Sequence, residues 1–590
     1  MIEDFQKAEF DYVRSPDQAR GPGRLPARHA VIVVGAGPVG LAIAIDLARQ
    51  GVRTVVLDDD FRLSTGSRAI CFAKRTLEIF DRLGCGERMV RKGVSWNVGK
   101  VFFQDDHVYT FNLLAESGHR RPAFINLQQY YVEGYLVEQA IAERNVELRW
   151  RNEVTGVEAI DDGVGLTVRT PDGDYRLQAS YLVACDGARS PVRKALGLES
   201  HGRTFRDRFL IADVKMKADF PAERWFWFDP PFHRNRSVLL HRQPDNVWRI
   251  DFQLGFDADP EVEKRPENVL PRIRALLGPD AQFELEWVSV YTFSCLRMDS
   301  FRHGRVLFAG DSAHGVSPFG ARGANSGVQD ADNLAWKLRL VLEGRAPDRL
   351  LDTYAAEREA AADENILHST RSTDFITPKS DASRVFRDAV LRLAKDHPFA
   401  RRLVNSGRLS VPSTLAVSPL NTPDSDEFDG LMIPGAAAAD APVRLENGES
   451  DWFLARIGGG FTVVCFAGGS VDQLGDRSIE SRAALARLAG RPIGVRSVVV
   501  LPSVPSGSGL SKSHLPSGSG LSKSHRCDIA RPDPEVIDVI EDSDGLLTQR
   551  FDARAGTTYL LRPDQHVCAR WRQFDAERIE AALVRATCNE

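Results

Sequence analysis

Three glycines, Gly35, Gly37 and Gly40, lie in "HAVIVVGAGPVGLAIAIDLARQGVRTVVLDDD" with GxGxxG spacing. That spacing serves a phosphate ligand. The first glycine allows a tight turn, the second lets backbone approach a pyrophosphate, and the third lets a helix pack closely on a strand. Amides at the start of that helix add partial positive charge for phosphate oxygens. Asp58 follows Gly35 by 23 residues, at the end of the next apolar run, where a carboxylate can accept from ribose hydroxyls. A second glycine-rich stretch, "GDSAHGVSPFGARGANSG" from Gly310 to Gly327, follows the apolar "RVLFA". Its open backbone suits close approach to a large flat or phosphorylated ligand. The first motif does not decide between FAD and NAD. Only one such frame occurs in the chain, so an enzyme using both must bind the second transiently or elsewhere.

These residues need elements to hold them. "AVIVV" is a continuous apolar run suited to a buried parallel strand, and "RTVVLD" is a second. Leu41, Ala44, Ile45, Leu47 and Ala48 recur between them at helical spacing. "QASYLVACDGARS" and "GRVLFAGDSAH" each read as a strand ending in a polar turn. After Ser326, the residues Val328, Ala331, Leu334, Ala335, Leu338 and Leu342 mark one face of a long helix. Between about 200 and 285, alternating aromatic-rich segments such as "NVWRIDFQL" predict an antiparallel sheet inserted within the α/β domain. From about 405 to 435 the chain is Pro/Ser-rich and reads as a linker. "GGGFTVVCFAGG" and "TTYLLRPDQHVCARW" then belong to a smaller α/β domain. Within it, "VPSGSGLSKSH" is followed by the near-copy "LPSGSGLSKSH", a duplication over 504–525 that predicts a mobile surface loop tolerant of insertion.

Bulk properties narrow the class. A chain of 590 residues with net charge -5 and no block of five or more like charges argues against a nucleic-acid groove or a polybasic membrane anchor. The eight cysteines are scattered without a CxxC pair, which predicts thiols in a reducing compartment and neither a disulfide framework nor a metal site. The polar first thirty residues lack the apolar core of a signal peptide, and the greasiest run is split by glycines and carries Asp46. The expectation is a soluble, cytoplasmic protein without membrane or nucleic-acid partners.

"CDGARSPVR" fits the pattern DGxxSxxR. With GxGxxG and "GDSAHGVSPFGARGANSG", in that order over about 30–400, the chain resembles the single-component (class A) flavoprotein aromatic hydroxylases. These form the para-hydroxybenzoate hydroxylase superfamily, and the likeness is greatest to its phenol and 3-(3-hydroxyphenyl)propionate hydroxylase branch. The resemblance implies an α/β fold in three parts: a GxGxxG FAD-binding domain with a parallel sheet, an inserted antiparallel β-sheet substrate domain, and a C-terminal thioredoxin-like domain lacking the branch's CxxC. The implied boundaries are an arm at 1–29, a flavin domain at 30–200 and 286–405, and a substrate domain at 201–285. Residues 92–125 would contribute to the substrate side, followed by a linker at 406–435 and the last domain at 436–590.

The same resemblance implies FAD as cofactor, NADH or NADPH as cosubstrate, and hydroxylation of a small phenolic substrate by dioxygen through a C4a-hydroperoxyflavin, in a monomer or homodimer. A flavin hydroxylase or epoxidase of a polycyclic natural product shares all three motifs. Asp311 would hydrogen-bond the ribityl chain, with Gly310 and Gly323 also at the cofactor, and Pro318 with the following "FGARGANSG" backbone would lie along the isoalloxazine ring. Asn325 and the next helix would face its N1–C2=O edge, where Arg322 would favour reduction. Arg68 would lie near the phosphates, Gln129 would be the flavin-domain glutamine with Gln128 as its neighbouring competitor, and Asp186 and Arg193 would place FAD and nicotinamide.

A base near the substrate hydroxyl would raise ring electron density. The acidic residue that the phenol-hydroxylase type carries after the region aligned with "GSRAICF" is replaced by Ile70 and Cys71. The remaining candidates are Asp251, His241 and Tyr291. In "NVWRIDFQL", Arg249, Asp251 and Gln253 share one face, opposite Trp248, Ile250 and Phe252, and alternation does not say which face lines a pocket. "WFWFDP" resembles the WxWxIP of flavin-dependent halogenases, but Asp229 replaces the apolar residue and halogenases lack DGxxSxxR. Trp225 and Trp227 therefore read as aromatics of the inserted sheet.

Overall fold

A computed structural model describes residues 2, 4–19, 25–66, 68–218, 220–404, 410–469, 478–502 and 537–590. The duplication at 504–525 lies outside the described residues. The chain forms two compact units. One comprises Met1–Ser117, Arg121–Leu342 and Leu351–Ser413; the other comprises Gly118–Arg120, Glu343–Leu350 and Thr414–Glu590.

In the first unit, the strand Ala27–Val34 lies between Thr54–Leu57 and Gly173–Ala184, parallel to both. Val306–Phe308 and Val146–Arg149 extend the parallel run on either side. Val31, Ile32 and Val33 are fully buried, as continuous apolar strands covered on both faces must be. The helix Pro38–Arg49 packs against Gly323–Leu342 and Gln129–Ala142, so the two glycine motifs meet over one sheet edge. The N-terminal stretch is anchored as well. Phe5 packs edge-on against Tyr131 and Tyr135, in the space left by the missing side chain of Gly134.

The second sheet of this unit has eight strands, in the order His314–Gly315, Glu284–Met298, Ser200–Lys215, Val247–Gln253, Ser237–Arg242, Arg224–Phe228, Val98–Phe103 and Asp106–Asn112. Every pair is antiparallel except Arg224–Phe228 with Val98–Phe103, which is parallel. Glu284–Met298 continues past 285 because it pairs with Ser200–Lys215 along nearly its whole length.

All seven residues of Val247–Gln253 are buried, so both faces of this strand are covered and the polar face is not a solvated one. Trp248, Ile250 and Phe252 pack with Val269 and Ile273 of the helix Pro266–Leu277, together with Trp225 and Trp227. The opposite face carries Arg249, Asp251 and Gln253, and its Phe209, Phe226 and Phe293 cluster with Phe319 of the second glycine-rich stretch. A small sheet of Cys71–Ala73, Phe124–Asn126 and Val94–Trp96 completes the unit.

The other unit is a seven-stranded mixed sheet. Phe461–Phe466, Val495–Pro502 and Ile537–Asp542 run parallel at its centre, with antiparallel strands on both sides. Phe453, Phe466, Phe551 and Tyr559 form its aromatic core. Burial pushes the thiols of Cys465 and Cys568 up to about 12, which keeps them protonated and inert.

Candidate active site

Gly35 has φ +104°, and a Cβ there would lie 2.4 Å from the carbonyl oxygen of Cys185. At Gly37 the opposite holds: nothing lies within 4 Å of a would-be Cβ, and no side chain caps the helix Pro38–Arg49 that starts there. An open, uncapped helix start is the receptor that a pyrophosphate requires. Asp58 Oδ2 accepts from the Ala36 amide at 2.5 Å and Oδ1 from Asp60 at 2.8 Å. Burial pushes its carboxyl up to about 6, against these two amide bonds.

The sign of that shift gives a test. A carboxyl raised in the folded state stabilises the ligand-free protein as pH falls toward 4, whereas its ionised form is the better acceptor for a ribose. FAD affinity is therefore expected to fall as pH drops through about 6 while the apoprotein gains stability. Asp58→Asn should flatten both profiles, read by flavin fluorescence titration and thermal melts at several pH values.

The second stretch is held from below. Asp330 Oδ2 accepts from the Gly310 amide (3.0 Å) and from His314 Nε2 (2.7 Å), and Oδ1 accepts from Arg358 Nε (2.6 Å). Ser312 Oγ donates to Ala184 O at 2.6 Å, tying the loop to the central sheet. Nothing in the sequence reading singled out Asp330 or Arg358. Asp311 differs from them: it is exposed to solvent, no hydrogen bond from a described residue reaches its carboxylate, and yet surrounding protein pushes its pKa up by desolvation, partly offset by His314. A carboxylate at the mouth of a protein-lined cleft has both properties. Asp311→Ala is expected to weaken FAD retention about tenfold or more, from the ~1.5–3 kcal/mol of a hydrogen bond to a charged group. The flavin-to-protein ratio after gel filtration checks this.

Asp186 Oδ2 caps the short helix Pro191–Ala195 through the Val192 amide (3.0 Å), while its buried Oδ1 has no partner. Arg193 donates to the carbonyls of Ser312 and Ala188, each at 2.6 Å, and so joins the DG turn to the Gly310 loop. Arg68 is exposed, and its carbonyl accepts from Arg249.

The side chains of Gln129, Asn325 and Arg322 have partners within the protein. Gln129 accepts from the Ala69 amide (3.0 Å) and donates to Glu133 (2.7 Å), so its amide is engaged within the protein. Gln128 is buried with both amide atoms unpartnered. Asn325 donates to the carbonyls of Cys71 and Ala321 and accepts from the Ala73 amide, so its side chain staples the start of the helix Gly323–Leu342 to the strand Cys71–Ala73. Arg322 is buried and donates to Asn365 at 2.9 Å, which shares its charge with the helix Leu350–Ile376. Pro318 is exposed. Gly320 (φ +98°) and Ala321 (φ +52°) turn the chain into the helix that starts at Gly323.

On the sheet face, burial alone would raise Asp251, but Arg249 at 2.8 Å and His241 at 3.5 Å hold it well below the carboxylate range. Asp251 is thus a fixed anion and a poor base. His241 is buried, pushed down to about 4 by desolvation and by the Arg224 charge, and its Nδ1 has no partner. Tyr291 is half-buried beside Trp287. Cys71 Sγ donates to Asn126 Oδ1, and burial raises the thiol, so it does not replace the missing acid as a base.

Residues 28–369, more than half of the chain, match the family model described as FAD binding domain. The chain belongs to this FAD-binding family. It is 27% identical over 553 residues to a 3-(3-hydroxy-phenyl)propionate/3-hydroxycinnamic acid hydroxylase of Mycolicibacterium smegmatis, covering 92% of this chain and 90% of that one. It is 32% identical over 454 residues to a 12-dehydrotetracycline 5-monooxygenase/anhydrotetracycline 6-monooxygenase of Streptomyces rimosus, covering 74% and 86%. The fold matches that of the flavin-dependent monooxygenase PieE in complex with FAD and substrate, at TM-score 0.75, 21% identity, and 95% and 99% coverage.

The chain is an FAD-dependent monooxygenase of that family. Its residues fit the cofactor: an uncapped helix start at Gly37, a free carboxylate at Asp311 and an unpartnered Oδ1 on Asp186 all await a ligand. No helix among the described residues is long and apolar enough to cross a membrane. No described cluster of His, Cys, Asp and Glu could hold a metal ion.

Proposed function

We propose that this monooxygenase uses NADH or NADPH and dioxygen to hydroxylate a phenolic aromatic compound. The observation that carries the reading is the sheet face that meets the second glycine-rich stretch. Phe319 of that stretch packs on Phe209 (4.9 Å) and Phe293 (5.4 Å), and the same face holds a neutral histidine with an unpartnered nitrogen. Bound FAD supplies hydride acceptance and oxygen activation.

The protein's own residues supply position and polarity. His241 Nε2 points toward Asp251, which leaves Nδ1 as an acceptor for a phenol proton. Because the imidazole is a weak base, it shares that proton as the ring is attacked and does not hold it beforehand. Buried aromatic walls exclude water from the reacting ring. Gly35, Gly37, Gly40 and Asp58 bind the adenosine diphosphate end of the cofactor; Gly310, Asp311, Asp186 and the backbone from Pro318 to Gly323 bind its flavin end. Arg193 and Arg68 are assigned to nicotinamide placement and the phosphates. The second unit is assigned as a thioredoxin-like scaffold without redox activity, since its buried thiols stay protonated.

A polycyclic phenol as substrate is the second reading, favoured by the 32% identity to the tetracycline-type monooxygenase. The test is oxidation of NADH and NADPH in air across simple phenols and polycyclic phenols, with product and peroxide both quantified. Stoichiometric product from simple phenols supports the first reading, and product from polycyclic phenols alone supports the second. Peroxide without product from every compound overturns both.

A further inference from the structure

Arg224 opens the strand Arg224–Phe228 and shares its buried face with Phe226 and Phe228. Only 4% of it is exposed, and neither Nε nor Nη1 has a hydrogen-bond partner. Among the described residues no carboxylate forms an ion pair with it. Its neighbours are aromatic: the guanidinium carbon lies 4.8 Å from the Phe226 ring and 6.0 Å from Trp96. A buried cation without an anion carries a desolvation cost of several kcal/mol. Stacking on two rings offsets part of that cost, and burial still drives the pKa of Arg224 down.

The local charges do not supply the missing anion. Asp251 and Arg249 are the ionised groups whose fields reach Arg224, and they act in opposite directions. Asp251 is already engaged by Arg249 (2.8 Å) and His241 (3.5 Å), and Cys71 is a protonated thiol bonded to Asn126. His241, within reach of the Arg224 field, has its own unpartnered Nδ1. Two donors and one acceptor are thus buried together without partners. The site also lies on the sheet face that meets the second glycine-rich stretch. Cys71, whose field reaches Arg224, belongs to the strand that Asn325 staples to the start of the helix Gly323–Leu342.

We propose that Arg224 is a specificity-determining residue that binds an ionised oxygen of the aromatic substrate. The inference rests on the aromatic hydroxylase reading and adds to it a preference for anionic over neutral aromatics. The ionised oxygen is a phenolate or a ring carboxylate; both present the same charge to the guanidinium, and the test separates them.

The FAD-loaded full chain is titrated without NADH or NADPH, following the flavin absorbance. Two matched pairs are used: meta-hydroxybenzoate against meta-hydroxybenzamide, and para-nitrophenol against para-nitroanisole. The ionised member of at least one pair is expected to bind about tenfold tighter or more, roughly the effect of one charge-assisted hydrogen bond. Preference in the first pair identifies a carboxylate; preference in the second identifies a phenolate. R224M should abolish the preference by weakening the anion alone, and R224K should restore part of it. Because R224M removes an uncompensated charge, its holoenzyme should keep its flavin and melt no lower than the unmodified protein.

Equal affinity within both pairs, or a preference that survives in R224M, overturns the assignment. So does an R224M protein that loses flavin and melts well below the parent, since that marks Arg224 as structural. Turnover with NADH or NADPH reads the hydroxylase question separately. Hydroxylated product without charge preference sinks only the Arg224 proposal, and charge preference without product from any aromatic sinks only the hydroxylation reading.

Discussion

Gly40→Ala is expected to abolish FAD retention and to destabilise the first unit by about 3 kcal/mol or more, at the upper end of overpacking costs. A Cβ on Gly40 would lie 2.0 Å from the carbonyl oxygen of Gly35 and 3.2 Å from Val33 Cγ1. The first is backbone, so no rotamer change relieves the overlap. The helix Pro38–Arg49 would have to move off the central strand, carrying its first amides away from the pyrophosphate position. Gly37→Ala is the control: its Cβ meets nothing within 4 Å in the protein itself. It should leave the apoprotein's melting temperature nearly unchanged and weaken only flavin binding. Melting curves of apo and flavin-loaded forms of both variants check this. An apo Gly40→Ala protein as stable as the parent would contradict the packing account.

Asp330→Ala is expected to cost about 3–5 kcal/mol, as breaking one partner out of a buried ion pair does. Asp330 is fully buried, and its two oxygens serve Gly310, His314 and Arg358 at once. Burial alone would raise its pKa, but His314 and Arg358 hold it below the usual carboxylate range. Its contribution is therefore present above the unfolded carboxyl value and is lost as pH falls through the lower folded one. Removing it strands the Arg358 guanidinium, which is 3% exposed, and frees the loop that carries Asp311. Flavin should dissociate before the unit melts. Urea titrations followed by both flavin fluorescence and tryptophan emission resolve the two events, and coincident transitions at the parent's midpoint would contradict the role.

The glycine motifs were legible in the sequence because what a glycine does is local: its backbone conformation and its missing Cβ are properties of its own turn. Gly35 and Gly310, with φ of +104° and +66°, are such cases. Side-chain roles were less legible when the partner was far along the chain. The acceptor contact of Asn325 lies 252 residues away, at Ala73, so nothing near "GANSG" indicated that its amide was engaged. Gln128 and Gln129 differ only in which one finds Ala69 and Glu133, a matter of helix entry angle at Gln128.

Alternation in "NVWRIDFQL" separated the two faces correctly but said nothing of what covers each. The helix Pro266–Leu277 takes the Trp248 face and the second glycine-rich stretch meets the other. Arg224 has a periodic signature of its own in the sequence. In "RWFWF" it falls in phase with Phe226 and Phe228, and an arginine in phase with buried aromatics is a buried arginine in need of an anion.

In the proposed reaction, one oxygen atom of dioxygen enters an aromatic ring at the expense of a reduced nicotinamide. The most direct measurement is turnover of the FAD-loaded protein with a stimulating phenol under isotopically labelled dioxygen, with mass analysis of the product. One labelled oxygen atom per product molecule, matched by one nicotinamide oxidised, is the predicted result. Unlabelled product, or nicotinamide oxidation that yields only labelled peroxide with every phenol tried, would contradict it.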